Sequence, residues 1–315
     1  MGLQEALSSQ EWFVEEKGFN LGKANFYETI FTIGNGYQGT RGSLEEGIKG
    51  ELSATYLAGV FDHHDSTVIE LVNAPNWLPL RIWINGERLN QQSCKVLEYR
   101  RILDFKKGLL YRFTRFEDSQ GRRTRYESIR FASFNNQHLC GIKALIAPEN
   151  YSGIIRVESI IDGERYNLDR KPVYVPEKQA FHPEVKWEKW AKSKHLEFIS
   201  GTGEENAVYL EMKTMDTVHH IGYASSLDIS VLDARKEYRL DYEKVAQLQS
   251  FEARQGNTYE IEKLVTIYTS RDVAQEEVKQ SCLKVLSSES KKGFNTLIKE
   301  HVAEWERKWA DCDCV

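Results

Sequence analysis

The stretch Leu109 to Ser128, LLYRFTRFEDSQGRRTRYES, decides how this chain folds. Leu109, Tyr111 and Phe113 place an apolar residue at every second position, the side-chain period of a β-strand. Asp118-Ser119-Gln120-Gly121 supplies turn chemistry, and the chain returns through Thr124, Tyr126 and Ser128 with Arg123, Arg125 and Glu127 between them. The whole reads as an antiparallel hairpin.

Working outward, period-two alternation in short runs dominates from about residue 12 to residue 270. Cys140, Ile142, Ala144 and Ile146 share one side of a run; so do Ile155, Val157 and Ile161, then Leu196 and Phe198, then Val208, Leu210 and Met212. Each reads as a half-buried strand. Tyr259 to Ser270, rich in β-branched and aromatic residues, reads as a central strand of a large sheet. Helical crossovers do not separate these runs, which disfavours a parallel α/β sheet and predicts a large antiparallel β-sandwich.

Lys171 to Lys194 departs from the pattern: it holds three of the six prolines together with Trp187 and Trp190. It reads as an extended excursion followed by a short exposed segment. After Ser270 the period changes, with Val278, Cys282, Val285 and Leu286 at helical spacing. Phe294, Leu297, Ile298, His301, Val302, Trp305 and Trp309 trace a stripe on a second helix, with Gly293 between the two. The expected organisation is a β-sandwich over residues 1–270 and a helical pair over 271–315. The tryptophan stripe either folds back on the sandwich or leads into a further domain.

Composition bounds the function. With 315 residues, 41% hydrophobic and 28% charged, the chain can bury one large all-β core or two ordinary ones. Its 47 acidic and 42 basic residues interleave to a net charge of -5, which implies no basic face for nucleic acid or an anionic membrane. The start lacks a leader pattern, and no window approaches the roughly 18 apolar residues of a membrane span. Cys94, Cys140, Cys282, Cys312 and Cys314 are too scattered for a disulfide framework, so a cytoplasmic location is expected and the Asn150-Tyr151-Ser152 sequon is expected to stay bare.

Candidate chemistry is sparse. Gly34-Asn35-Gly36-Tyr37-Gln38-Gly39 has the spacing of a dinucleotide fingerprint, but no helical stripe follows to face a pyrophosphate, and a glycine-rich turn between strands is the better account. His63 and His64 sit beside Asp62 and Asp65, and His219 beside His220; adjacent histidines on a strand point to opposite faces, so no shared metal is expected. Cys312-Asp313-Cys314 has no complementary cluster nearby in sequence. Glu28, Asp62 and Asp104 stand out among the acids only by their glycine and aromatic surroundings. The separation that would make two acids a catalytic pair is spatial and cannot be read from sequence.

Several motifs in order carry a resemblance. Glu28 to Gly42 reads ETIFTIGNGYQGTRG, Thr55 to Asp62 reads TYLAGVFD, and Leu71 to Arg81 reads LVNAPNWLPLR. Arg101 to Arg112 (RILDFKKGLLYR), Asp118 to Arg125 (DSQGRRTR), Tyr151 to Gly163 (YSGIIRVESIIDG) and His301 to Trp309 (HVAEWERKW) continue it. The chain resembles the amino-terminal region of family 65 glycoside hydrolases, the phosphorylases of maltose, kojibiose, nigerose and trehalose.

The resemblance implies a galactose-mutarotase-like β-supersandwich, then a pair of linker α-helices, then a catalytic (α/α)6 barrel. Sequence matching the barrel is absent, and with it the catalytic glutamate and the phosphate-binding residues. The implied parent reaction is phosphorolysis of an α-linked glucose disaccharide with inversion, with inorganic phosphate as co-substrate and no metal or organic cofactor. The chain is then expected to be inactive alone and to support the barrel, and a homodimer is implied by resemblance only. Asn35, Tyr37, Arg41, Tyr56, Phe61 and Asp62 are the candidates for a barrel-facing or sugar-proximal surface, since glycine allows close backbone approach and aromatics with arginine suit interfaces. The competing readings are a free-standing carbohydrate-binding module, a fragment of a family 65 hydrolase, and a complete enzyme with its own carboxylate pair.

Overall fold

The computed structural model describes residues 7–64, 66, 68–173, 186–204 and 206–312, with the backbone alone at 169–173, 186–191 and 204. A nine-stranded antiparallel sheet runs, in spatial order, Phe13–Lys17, Lys95–Asp104, Leu109–Glu117, Arg123–Ala132, Leu139–Pro148, Tyr259–Thr269, His220–Ile229, Ala207–Thr214 and Leu196–Glu204. The hairpin read from the sequence is present, with Tyr111 opposite Ile129 and Glu117 opposite Arg123. Tyr259–Thr269 lies inside the sheet, between Leu139–Pro148 and His220–Ile229. A second sheet of five strands, ordered Arg235–Asp241, Lys244–Ala253, Gly153–Asp162, Leu80–Ile84 and Glu87–Arg88, packs against it. The main core fills the space between them, with Cys140, Ile142, Val265, Leu210 and Tyr223 on one side and Trp77, Ile82, Ile155 and Val157 on the other.

The strands were read as half-buried, yet Leu139–Pro148 is buried along almost its whole length. The reason is a second apolar layer. The helices α2 (Val278–Ser290) and α3 (Phe294–Cys312), preceded in the chain by the short α1 (Ala24–Ile30), cover the outer face of the large sheet. Leu109, Tyr111 and Phe113 point to this helix side, where they meet Leu286, Phe294 and Leu297. Burying such side chains is worth about 1.5–3 kcal/mol each. Gly293 separates α2 from α3 with φ +76°, the left-handed conformation that ends a helix.

The tryptophan stripe folds back on the sandwich. Trp305 packs edge-on against Phe134 at 4.6 Å, Trp309 against Trp12 at 5.1 Å, and the Trp309 indole N–H donates to the Lys106 carbonyl at 3.0 Å. Gly108, at φ +63°, lies so close beneath Trp305 that a β-carbon there would sit 2.1 Å from the indole nitrogen. His301 is buried between them. Its Nδ1 accepts the Phe134 N–H at 3.1 Å and its Nε2 faces the Gly108 carbonyl at 3.2 Å. Burial pushes its pKa down to about 4, so the neutral ring bridges the two loops.

The inner face of the hairpin carries charge, which the apolar alternation did not announce. Arg112 is buried and donates to Glu45 at 2.9 Å and to Glu46 at 2.7 Å, while Arg130 pairs with Glu45 at 2.8 Å. Burial would raise the Glu45 pKa, but Arg130 and Arg112 outweigh it and hold the carboxyl at about 2. This network pins residues 42–46 to the sheet and so fixes the entry to the candidate site.

Asn167–Val173 and Lys186–Ser193 pair as an antiparallel ribbon, which gives the expected excursion its two arms; residues 174–185 lie outside the described residues. The helix α1 was not read from the sequence. Seven residues are too few to display a helical period, and the run leads directly into the strand Ile33–Gly34.

Candidate functional site

The dinucleotide-like run forms a tight hairpin: Ile33–Gly34 pairs with Gln38–Thr40, which pairs with Thr55–Leu57. Gly36 takes φ +86° at its turn, and no helix follows. Asn35 holds the turn, its Oδ1 accepting the N–H groups of Tyr37 at 3.1 Å and Gln38 at 3.0 Å. Its Nδ2 donates to the carbonyls of Ser133 at 2.6 Å and Gln137 at 3.0 Å, so every polar atom of this buried side chain is spent on backbone. The Tyr37 hydroxyl donates to Asp272 Oδ2 at 2.5 Å, and the same oxygen accepts the Thr269 N–H at 2.8 Å. Burial and the Asp272 carboxylate push the Tyr37 pKa far above the phenol range. Asn35 and Tyr37 therefore tie the hairpin to the junction where the last strand hands over to α2.

Arg41 points elsewhere. Its Nη2 donates to the Asn25 carbonyl of α1 at 3.1 Å and lies 3.6 Å from Glu28 Oε2, which accepts the Leu52 N–H at 3.0 Å. Arg41 and Tyr56 line one cleft of about 570 Å³, together with Glu51, Arg165, Tyr166 and Lys192. Asn73 stitches its walls: Oδ1 accepts the Thr55 N–H at 3.2 Å and Nδ2 donates to the Tyr166 carbonyl at 3.1 Å. Arg165 is held by Asp162 and by Ser53 Oγ at 3.0 Å, and the Lys192 ammonium sits 5.2 Å above the Tyr166 ring. Burial raises the Glu51 carboxyl to about 7, against the Ile48 N–H that lowers it and with the Glu28 carboxylate adding to the rise. Glu51, Arg165, Tyr166 and Lys192 were not found by sequence reasoning. Glu51 lies ten residues after Arg41, but Arg165, Tyr166 and Lys192 meet it only because the chain returns more than a hundred residues later, and no local pattern marks that return.

Phe61 and Asp62 form a third location. The strand Phe61–Asp62 pairs with Glu70–Leu71. Asp62 is fully buried; its Oδ1 accepts the N–H of Thr217 at 2.9 Å and of Asp216 at 3.2 Å, and its Oδ2 lies 3.3 Å from His195 Nδ1. Burial opposes ionisation here, but these hydrogen bonds outweigh it and the carboxyl pKa is lowered. His63 and His64 follow in a turn rather than a strand. Both reach Asp216, at 3.5 Å and 3.1 Å, which corrects the expectation that adjacent histidines would face opposite ways. Asp62, His63 and Asp216 offer ligand atoms within 4.8 Å of one another, yet Asp62 Oδ1 is already filled by N–H donors. Asp65, Asp313 and Cys314 lie outside the described residues. His220 pairs with Glu211 at 2.7 Å on the sheet.

Several large apolar side chains of the segments that carry these residues are exposed. Phe26 on α1 is 60% exposed, Phe61 44% and Ile69 70%, with Leu52 and Leu168 at the cleft itself. Asn167 connects the two ends of this face, donating to Glu70 Oε2 at 2.8 Å and to the Leu71 carbonyl at 3.0 Å. Large exposed apolar side chains and charged ones together have the composition of an interaction surface.

Residues 14–308 match the family described as glycosyl hydrolase family 65, N-terminal domain. The chain belongs to glycosyl hydrolase family 65. Over 99% of its length this family 65 chain is 33% identical to a kojibiose phosphorylase of Caldanaerobacter subterraneus subsp. tengcongensis. It is 28% identical to an α,α-trehalose phosphorylase of Thermoanaerobacter brockii and 22% identical to a maltose phosphorylase of Bacillus subtilis, over 97% and 98% of its length. It spans 39% to 40% of the length of these relatives. A solved structure of a putative kojibiose phosphorylase from the human microbiome superimposes on 96% of the family 65 chain and 38% of its own, with a TM-score of 0.78 at 18% identity, which shows the shared fold.

Proposed function

We propose that this chain is the non-catalytic amino-terminal part of an inverting α-glucoside phosphorylase, and that it orients or closes the pocket of a catalytic domain without moving a proton itself. One observation carries the reading: the carboxylates that stood out in the sequence are buried, and each accepts at least one backbone N–H. Glu28 accepts from Leu52, Asp62 from Asp216 and Thr217, and Asp104 from Ser8 at 3.0 Å and Lys107 at 3.3 Å. A general acid needs a carboxyl free to face the glycosidic oxygen.

The face bearing Arg41, Tyr56 and Phe61 is the surface that meets the catalytic domain, while Asn35, Tyr37 and Asp62 hold that face in place. In the parent reaction inorganic phosphate attacks the anomeric carbon of an α-linked glucose disaccharide, and no metal or organic cofactor is required. Such an attack depends on alignment, so a rigid supporting face contributes through positioning.

The test is a hybrid in which this chain replaces the matching segment of the kojibiose phosphorylase of Caldanaerobacter subterraneus. Phosphorolysis of kojibiose by the hybrid, absent from the remainder alone, supports the reading. A folded hybrid no more active than the isolated remainder counts against it.

A further inference from the structure

We infer that the cleft between the Arg41 turn and the Tyr166 segment is a binding site for a phosphorylated monosaccharide. The inference deepens the proposed function by naming what the supporting face holds. At about 570 Å³ the cleft is of the size that accepts a small ligand, and such sites favour domain boundaries.

Its walls are chemically selective. Arg41, Arg165 and Lys192 place three cationic side chains around one space. Two guanidiniums and an ammonium suit the oxygens of a phosphate monoester, which carries about two negative charges at neutral pH. Each guanidinium shares its charge with one carboxylate, Arg41 lying 3.6 Å from Glu28 and Arg165 held by Asp162, which leaves the Lys192 ammonium to face the cleft. Of the acids lining the cleft, Glu164 pairs with Lys244 at 2.6 Å, and burial raises the Glu51 carboxyl to about 7.

Arg41 and Arg165 are also pre-oriented. The first is fixed on the Asn25 carbonyl at 3.1 Å and the second on Ser53 Oγ at 3.0 Å, so little side-chain freedom is lost when an anion arrives. Lys192 rests over the Tyr166 ring at 5.2 Å. The sugar is assigned to the two tyrosines. Tyr56, 36% exposed at the cleft, offers a flat apolar face for C–H groups and a hydroxyl for hydrogen bonding, and Tyr166, half-buried beside it with its ring beneath Lys192, adds a second hydroxyl.

Isothermal titration of the full chain with glucose 6-phosphate, α-glucose 1-phosphate, inorganic phosphate and glucose tests the site. At least one sugar phosphate is expected to bind about tenfold or more tightly than either glucose or inorganic phosphate, the worth of one charge-assisted contact. Lys192→Ala and Arg41→Gln should each weaken that binding about tenfold, and Tyr56→Ala should weaken sugar phosphate while leaving inorganic phosphate unchanged. Lys192 and Tyr56 are exposed enough for their variants to fold as the parent does, and circular dichroism checks this. Saturable binding that the variants do not alter, equal affinity for inorganic phosphate and sugar phosphate, or no binding at millimolar concentration overturns the inference. Each of these outcomes is read in the isolated chain, so it leaves the hybrid's phosphorolysis, and with it the proposed function, undecided by this experiment.

Discussion

Lys263 sits in the middle of the large sheet with no exposed surface, and replacing it with methionine should change how stability responds to pH. Its Nζ donates only to carbonyls, Pro79 at 3.0 Å and Ile160 at 2.9 Å, both across the sandwich. Among the described residues no ion pair reaches it, and the nearby charges are Arg130 and Arg81, of its own sign. Burial lowers its pKa to about 7. An unfolded lysine titrates near 10.4, so between pH 7 and that value the unfolded chain binds one more proton and stability rises with pH. Below pH 7 both states are charged and the burial penalty applies in full. Integrated from pH 6 to pH 10, the shift amounts to about 4 kcal/mol. Lys263→Met removes this term. It also removes the Nζ–H donors to Ile160 O and to Pro79 O, of which the latter still accepts the Ile160 N–H at 3.0 Å. The lost bonds cost about 1–3 kcal/mol independently of pH. Urea unfolding of both proteins, followed by tryptophan fluorescence at pH 6 to 10, gives the difference directly. The advantage of the variant should shrink by about 4 kcal/mol across that range. A difference that stays flat refutes the reasoning.

Arg112→Met takes the buried Glu46 carboxylate's guanidinium away and leaves Glu45 to Arg130, and should cost about 3–5 kcal/mol in urea unfolding, whereas Arg115→Ala at the surface should leave the urea midpoint nearly unchanged. His301, depressed by burial, contributes stability that is complete above about pH 6.5 and lost as pH falls toward 4; His301→Gln should flatten that acid-side loss of roughly 3 kcal/mol, read from the fluorescence of Trp305 and Trp309. Glu51 has the opposite sign. Its raised carboxyl supports the fold fully below the unfolded pKa near 4.3, and that support is lost as pH rises through about 7. The groups facing it are Glu28 and Glu46, with Arg165 and Arg88 opposed, and the charge it gains repels an anion in the cleft. The ratio of sugar-phosphate affinity in Glu51→Gln to that in the native chain should rise between pH 6 and pH 8 and is measured by titration calorimetry.

Strand type, the hairpin at Leu109 to Ser128, the interior place of Tyr259–Thr269 and the two closing helices were legible because each follows from a local period. Which side of a strand faces which layer was not. Leu109, Tyr111 and Phe113 mark one apolar face without saying what covers it, and helices cover it, while Arg112 takes the inner side because Glu45 and Glu46 arrive there from another segment. The same limit governs the site. Arg41 and Tyr56 were singled out for their glycine-rich surroundings, but Arg165, Tyr166 and Lys192 meet them through a ribbon whose position no period encodes. Asn35 and Asp62 stood out for the same reason that they are structural: a short polar side chain among glycines is what a turn needs to satisfy its own backbone. The two readings of the tryptophan stripe could not be separated in sequence, since a stripe that covers a sheet and one that covers a partner have the same spacing.

The central proposal is that this family 65 chain supports α-glucoside phosphorolysis without performing it. The measurement is release of β-glucose 1-phosphate from maltose, kojibiose, nigerose and trehalose by the purified chain in phosphate buffer. No release from any of the four is the expected result; turnover that persists through controls for contaminating enzymes, and that tracks the chain through purification, would place a complete active site within these residues and contradict the assignment.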